Sequence, residues 1–132
     1  MGLTFQPRPG TVVMCDFSGY VVPEMIKVRP VVVIARNRKN RHLVTVVPLS
    51  TTAPNNMEDH HHQLSANPLP GKAAVVCWAK CDMIATVSIA RLDRYKLARR
   101  EYVAPTLPEA DFVAIQTAVM NALGLAALPP YG

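Results

Sequence analysis

The chain has 132 residues, of which 50% are apolar and 17% charged, so we expect one globular domain over residues 1–132 and exclude intrinsic disorder. No apolar run approaches the roughly 20 residues of a membrane helix, and the start MGLTFQPRPG lacks a signal-peptide pattern, so no membrane contact and a cytoplasmic location are expected. The formal net charge of +5 favours an anionic partner such as nucleic acid.

The first half of the chain predicts three strands separated by turn residues. Residues 11–17, TVVMCDF, are rich in β-branched and aromatic residues. Residues 30–36, PVVVIAR, form a second strand with Pro30 at its first position, where a sheet tolerates a missing donor. Residues 42–49, HLVTVVPL, form a third strand that ends in a cluster of turn formers.

The middle of the chain is less regular. A short strand is expected at 60–64, HHHQL, followed by an irregular segment at 65–72. Residues 73–88 indicate one long strand or two strands with a break, and residues 91–103 are ambiguous.

One helix is predicted near the end of the chain. Thr106 is the expected N-cap, with Glu109 three residues later completing a capping box. Gly124 lies where a left-handed C-terminal cap is expected. The apolar stripe facing the sheet consists of Phe112, Ile115, Val119, Met120 and Leu123. Several short strands followed by a helix predict a mainly β protein built as a small, curved antiparallel barrel, with a core from about 9 to 124 and a frayed tail at 125–132.

Arg29 stands directly before a proline, which forces its backbone into an extended conformation. Its side chain is therefore expected to project from the start of a strand. A planar guanidinium grips phosphate or carboxylate at two points, so an anion is its natural partner. The alternative is a structural salt bridge to Glu24 or Asp82.

The stretch PLSTT places the hydroxyls of Ser50, Thr51 and Thr52 where a strand turns into a loop. Hydroxyls and backbone amides at such a turn can face a phosphate oxygen. These residue types are also ordinary in turns.

Lys80 and Asp82 are two residues apart, so on a strand they would share a face at a separation of about 7 Å. That spacing suits a single phosphodiester, and it equally suits a solvated charged face. Cys77 and Cys81 would lie about 13 Å apart on the same strand, too far for one zinc ion or one disulfide. With Cys15 they make three cysteines, so we expect free thiols in a reducing compartment and no metal or cofactor.

Basic residues cluster at 36–41, RNRKNR, and the three consecutive histidines at 60–62 alternate if they lie on a strand. Either group could be a solvated surface or contact nucleic acid. The candidate nucleic-acid contacts are Lys27, Arg36, Arg38, Ser50, Thr51 and His62.

The ordered set PGTVVMCDF, KVRPVVVI, VVPLSTT and WAKCDMIATVSIARL, closed by an amphipathic helix, resembles the PemK/MazF family of toxins from toxin-antitoxin modules. The resemblance runs from about Pro9 to Leu123. It implies a barrel like those of SH3 and CcdB-type proteins, a homodimer, metal-independent cleavage of single-stranded RNA, and a cognate antitoxin that neutralises the toxin. It also implies that the loop from Ser18 to Lys27 covers the active site.

The same resemblance assigns roles to particular residues. Arg29 matches the catalytic arginine of the family, Thr52 matches its strand-end hydroxyl, and Asp82 matches an acidic residue that some members use as a base. Lys80 stands where those members carry an arginine. Because arginine keeps its proton, we assign Arg29 to charge stabilisation, Asp82 to the general base and Lys80 to the general acid.

A second hypothesis is a non-catalytic binding protein on the same scaffold, either a CcdB-like gyrase inhibitor or an inactive regulator. Fold alone does not separate this hypothesis from the nuclease.

Overall fold

The computed structural model describes residues 2–125 of the chain. The predicted frayed tail lies, except for Leu125, outside the described residues. The strands and the helix are β1 (Val12–Asp16), β2 (Val28–Arg36), β3 (Leu43–Ser50), β4 (His61–Gln63), β5 (Trp78–Lys80), β6 (Ala85–Ser88), β7 (Leu92–Asp93), β8 (Tyr95–Ala98), β9 (Glu101–Val103) and α1 (Glu109–Ala122).

The strands pair antiparallel in the order β4-β5-β3-β2-β1-β7, and β6 also pairs with β3. β3 lies at the centre because its second edge is shared by two strands. Leu49 and Ser50 pair with β5, whereas Leu43–Val46 pair with β6. A 3₁₀ turn at Cys81–Met83 separates β5 from β6. The prediction of a mainly β fold with one C-terminal helix is confirmed, and the segment 73–88 contains two strands with a break.

Alternating side chains of β1, β2 and β3 form two hydrophobic clusters on opposite faces of the sheet. One face carries Val12, Val32 and Val47, which pack with Ile115 of α1. The other carries Val31 and its neighbours and packs with Phe17, Tyr20 and Met25 from the loop after β1. The sheet is therefore covered by the helix on one face and in part by this loop on the other.

The helix differs from its prediction at the N-terminus. Thr106 forms an isolated β-bridge with Thr11, and Pro108 is the N-cap, without a side-chain capping bond. The predicted capping box is therefore wrong, because the residue before Pro108 is held extended and donates its N–H to the carbonyl of Gly10.

The apolar stripe of α1 is confirmed in part. Ile115 and Val119 are buried, whereas Met120 and Leu123 are 41% and 54% exposed. Gly124 has φ of 70°, and the N–H of Leu125 donates to the carbonyl of Met120 at 2.7 Å, so the predicted left-handed C-terminal cap is present. Within residues 2–125, no helix is both long and apolar enough to cross a membrane.

Candidate active site

Arg29 lies in β2, opposite Cys15 of β1. β2 begins at Val28, so Pro30 is its third residue and not its first. The pairing with β3 begins one residue after Pro30, with Val31 opposite Pro48. Continuing this register towards the start of β2 places Arg29 across from Ser50.

The side chains of Arg29 and Ser50 line a common pocket of about 150 Å³, here called the Arg29 pocket. Thr51 and Lys72 also line it. The remaining lining residues are Pro30, Leu49, Asn67, Pro68, Leu69 and Cys77. None of the described residues that line it carries a carboxylate. Two cations beside hydroxyl groups in a partly apolar pocket are suited to a phosphate group.

Lys72 was not among the candidates from the sequence. It belongs to the irregular segment 65–72, directly after Gly71, whose φ is 75°. Its N–H donates to the carbonyl of Leu69 at 3.1 Å, so a turn brings the lysine to the pocket. The sequence predicted an irregular segment at 65–72, but it did not indicate that this segment lies beside Ser50 at the end of β3.

Arg29 forms no salt bridge within 4.0 Å to any carboxylate among residues 2–125. The alternative of a structural bridge to Glu24 or Asp82 is therefore wrong for this chain. The side chain of Arg29 is half-buried, and its Nε atom is fully buried with no hydrogen-bond partner in the described structure. A buried donor without a partner is uncommon and costs free energy, so this guanidinium is set to receive an acceptor.

Two of the three hydroxyl residues predicted to face a phosphate lie in the Arg29 pocket. Ser50 and Thr51 line the Arg29 pocket, and the N–H of Thr52 donates to Ser50 Oγ at 3.1 Å. Thr52 itself is exposed just beyond the end of β3. The turn thus fixes the Ser50 hydroxyl and leaves Thr52 at the rim.

Asp82 lies in the 3₁₀ turn Cys81–Met83 and not on a strand, so the predicted shared strand face with Lys80 is wrong. Lys80 is the last residue of β5 and pairs with His61. Asp82 lines a second pocket of about 270 Å³, here called the loop pocket. Its other lining residues are Phe17, Tyr20, Pro23, Glu24, Met25, Met83, Ile84 and Ala85. The two pockets share no lining residue, so the structure does not bring Asp82 into the Arg29 pocket.

The predicted loop from Ser18 to Lys27 supplies Tyr20, Pro23, Glu24 and Met25 to the loop pocket. The loop and Asp82 therefore line the same pocket. Lys27 is exposed just before β2 begins.

The histidine run divides into different environments. His62 Nε2 lies 2.9 Å from Asp111 Oδ1, and its side chain is 24% exposed, so a side chain that was predicted to contact RNA is engaged by the helix. His60 was not among the candidates, yet its Nε2 lies 3.9 Å from Asp82 Oδ2 and its Nδ1 lies 3.4 Å from Glu58 Oε2. The alternation of side chains along a strand could not predict these contacts of His60, because His60 lies in a turn before β4.

Arg36 and Arg38 do not join the Arg29 pocket. Arg36 ends β2, roughly 23 Å along the strand from Arg29, and its Nε donates to the carbonyl of Pro7 at 3.2 Å. Arg38 is exposed in the turn between β2 and β3. These two predicted RNA contacts therefore lie away from the Arg29 pocket.

Cys77 lies at the Arg29 pocket and is buried. Burial raises the pKa of its thiol to about 11, although the backbone N–H of Ser50 acts in the opposite direction. Because the thiolate is the reactive form, this thiol is not a nucleophile near neutral pH. Within residues 2–125, no group of three His, Cys, Asp or Glu side chains is placed to hold a metal ion.

Several known proteins resemble the chain in sequence and fold. The protein YifN of Escherichia coli (strain K12) is 30% identical over 149 aligned positions, which cover 97% of this chain and 99% of YifN. A mycobacterial endoribonuclease solved in complex with its cognate antitoxin is 25% identical, with a TM-score of 0.64 over 93% of this chain and 100% of that one. MazF of Deinococcus radiodurans is 19% identical, with a TM-score of 0.60 over 89% of this chain and 96% of that one, and this likeness supports the fold alone.

Residues 8–123 match the family described as the PemK-like, MazF-like toxin of type II toxin-antitoxin system. This match covers the sheet, both pockets and the helix. The chain therefore belongs to the PemK-like, MazF-like family of toxins from type II toxin-antitoxin systems.

Proposed function

We propose that this chain is a toxin that cleaves single-stranded RNA without a metal ion, acts in the cytoplasm and is neutralised by a cognate antitoxin. The observation that carries the proposal is the Arg29 guanidinium. It has no ion-pair partner among residues 2–125 and lines a pocket with Ser50, Thr51 and Lys72. Family membership and the similarity to an endoribonuclease solved with its antitoxin give further support.

RNA carries its own nucleophile, the 2′-hydroxyl next to the scissile phosphate. In the proposed reaction this oxygen attacks phosphorus, the bond to the 5′-oxygen breaks, and the products are a 2′,3′-cyclic phosphate and a 5′-hydroxyl. The enzyme has to remove one proton, deliver another and stabilise extra negative charge on the phosphate oxygens.

The Arg29 pocket takes the scissile phosphate. Arg29 stabilises the charge that develops on phosphorus, and Ser50 and Thr51 donate hydrogen bonds to the phosphate oxygens. Thr52 lies at the rim of the Arg29 pocket, where its hydroxyl contacts the incoming RNA strand. Lys72 adds a second cation to the pocket.

Proton transfer is assigned to two residues that do not line the Arg29 pocket. Asp82 is the proposed base, and Lys80 of β5 is the proposed acid. Since Asp82 lines the loop pocket and Lys80 lines neither pocket, the RNA strand has to lie across both pockets for Arg29 and Asp82 to act on one phosphate.

Two partners complete the proposal. A homodimer is expected from the family resemblance, and micromolar light scattering would identify it. The cognate antitoxin is expected to carry a flexible acidic segment that suits a toxin with a net charge of +5. A mycobacterial endoribonuclease that is 25% identical to this chain was solved in complex with its cognate antitoxin.

The test is incubation of the purified chain with a single-stranded RNA pool in EDTA, followed by sequencing of the new ends. Cleavage that leaves cyclic phosphate and 5′-hydroxyl ends is the expected result. Intact RNA under conditions where the folded protein still binds it would instead favour a non-catalytic binding protein on the same scaffold.

A further inference from the structure

We propose that the loop pocket reads one base of the RNA and favours a base with an exocyclic amino group, with Glu24 as the residue that accepts its hydrogen bond. This inference rests on the proposed function, since it names which RNA the same site selects. Adenine, cytosine and guanine carry such an amino group, whereas uracil does not.

The chemistry of the loop pocket is opposite to that of the Arg29 pocket. Its walls are mainly apolar and aromatic, and its only charged lining side chains among the described residues are Glu24 and Asp82. A phosphate would be repelled by two carboxylates in a pocket with no Lys, Arg or His among its described lining residues. An uncharged base, with a flat apolar face and amino hydrogens at its edge, fits both the walls and the carboxylates.

The aromatic wall is held in place before any ligand arrives. Phe17 and Tyr20 meet edge to face, with ring centroids 5.4 Å apart. The guanidinium of Arg91 lies 5.0 Å from the centre of the Tyr20 ring, and its Nη1 donates to the carbonyls of Asp16 and Ser18 at 2.9 and 2.7 Å. One face of Tyr20 is thus occupied, and the start of the loop is tied to Arg91.

Glu24 is also oriented. Its Oε1 accepts from the N–H of Val21 at 2.9 Å, and its own N–H donates to the Val21 carbonyl at 2.8 Å. Within the described part of the chain, Oε2 has no hydrogen-bond partner, so it is available to an amino group. Asp82 is the proposed proton acceptor, which leaves Glu24 as the carboxylate for base recognition.

The test compares two short single-stranded oligonucleotides with 2′-O-methyl sugars, one of cytosine only and one of uracil only. They cannot be cleaved, and they differ mainly in the amino group at C4 against a carbonyl oxygen. Fluorescence anisotropy of labelled oligonucleotides gives the two dissociation constants. The wild type is expected to bind oligo-cytosine about tenfold more tightly, because a well-placed hydrogen bond to a base edge discriminates by that order.

Glu24→Gln keeps the size of the side chain but adds amide donors that suit uracil, so the cytosine preference is expected to fall to about threefold or less. Glu101→Gln, at an exposed position of β9 and outside both pockets, is the matched control and is expected to keep the wild-type ratio. Thermal melting of both variants shows that they are folded.

Equal binding of the two oligonucleotides, or a Glu24→Gln protein with the wild-type ratio, would overturn the inference. Cleavage of natural RNA is measured separately on the same preparations. If cleavage occurs without base discrimination, the base-reading inference fails and the proposed function stands. If discrimination occurs without cleavage, the proposed function fails and the loop pocket is still a base site.

Discussion

At the scale of single residues, the position of Arg29 follows from its neighbours. Pro30 favours an extended backbone before it, and β1 on one side and the end of β3 on the other hold the strand in place. No carboxylate among residues 2–125 neutralises the guanidinium within 4.0 Å. An arginine that contributed to stability through a salt bridge would have such a partner, so its unpaired state supports a role in ligand binding.

The role of Asp82 can be tested by removing its ability to accept a proton. Asp82→Asn is expected to lower the single-turnover cleavage rate by roughly a hundredfold, the usual contribution of a general base, and to flatten the fall in rate towards low pH. Asp59→Asn is the control, because Asp59 is exposed and lines neither pocket. An Asp82→Asn protein that cuts at the wild-type rate would remove Asp82 from the mechanism.

The contribution of Lys72, the second cation of the Arg29 pocket, to RNA binding can be measured separately from its effect on the cleavage rate. Lys72→Met is expected to weaken RNA binding by about tenfold, with a smaller effect on the rate of bound RNA, and to reduce the salt dependence of binding by about one charge. Titration of a non-cleavable RNA at several salt concentrations measures both effects. If the salt slope is unchanged, Lys72 does not contact a phosphate.

At the scale of elements, α1 is joined to the sheet by a buried carboxylate. Asp111 in its first turn is 4% exposed. It accepts hydrogen bonds from Ser65 Oγ at 2.6 Å, from the Ser65 N–H at 3.1 Å and from His62 Nε2 at 2.9 Å. Burial raises the pKa of Asp111, but the hydrogen bonds from Ser65 and His62 outweigh burial, so the pKa is lowered overall.

This network predicts a defined pH dependence of stability. A carboxyl whose pKa is lowered on folding stabilises the protein above its unfolded pKa of about 3.9, and that contribution is lost as the pH falls through the lower folded value. Asp111→Ala is expected to lower the free energy of unfolding by about 1–3 kcal/mol at pH 7 and to lose part of the acid sensitivity. Denaturant unfolding from pH 7 down to pH 3 measures both quantities.

Glu109→Gln, in the same turn but exposed, serves as the control for that experiment. It is expected to keep the stability and the acid response of the wild type to within a few tenths of a kcal/mol. If Asp111→Ala behaved in the same way as this control, the carboxylate would not hold α1 to the sheet.

At the scale of the whole molecule, the three cysteines report on the integrity of the fold. Burial raises the pKa of Cys15 and Cys81 to about 12 and that of Cys77 to about 11. The native thiols should therefore resist iodoacetamide at pH 8, whereas all three react in guanidinium, as counted by mass spectrometry. Rapid modification of the native protein would contradict their burial.

The same shifts determine the alkaline limit of stability. The pKa values of the three thiols are higher in the folded protein than in the unfolded chain. Their contribution to stability is therefore fully present below the unfolded pKa near 8.5 and is lost as the pH rises towards the folded pKa values. Unfolding free energies measured above pH 9 are therefore expected to fall.

Much of the fold could be predicted because it depends on local patterns. The runs TVVMCDF, PVVVIAR and HLVTVVPL are continuous and apolar because their strands are buried on both faces of the sheet. Gly124 was predictable because an αL cap has one preferred residue. The capping box at Thr106 failed because a bridge to Thr11 competes for that segment, and no short pattern reveals such a distant contact.

The candidate site was predicted less completely. Arg29 and Ser50 belong to adjacent strands, so their meeting follows from the pairing of two recognisable segments. Lys72 and Glu24 reach the pockets from irregular loops, whose paths depend on tertiary contacts. Asp82 was assigned to a strand face because a 3₁₀ turn of three residues leaves no periodic signal in the sequence.

The most direct test of the account is single-turnover cleavage of a single-stranded RNA in EDTA by the wild type and by Arg29→Ala, with thermal melts of both. The wild type is expected to cut without added metal. Arg29→Ala is expected to be at least about a hundredfold slower, or roughly 3 kcal/mol of lost transition-state stabilisation, while it melts at nearly the same temperature and still binds RNA. Arg29→Lys should recover part of the rate, because a point charge cannot reproduce two parallel contacts. An Arg29→Ala protein that melts early but cuts at the wild-type rate would contradict the account.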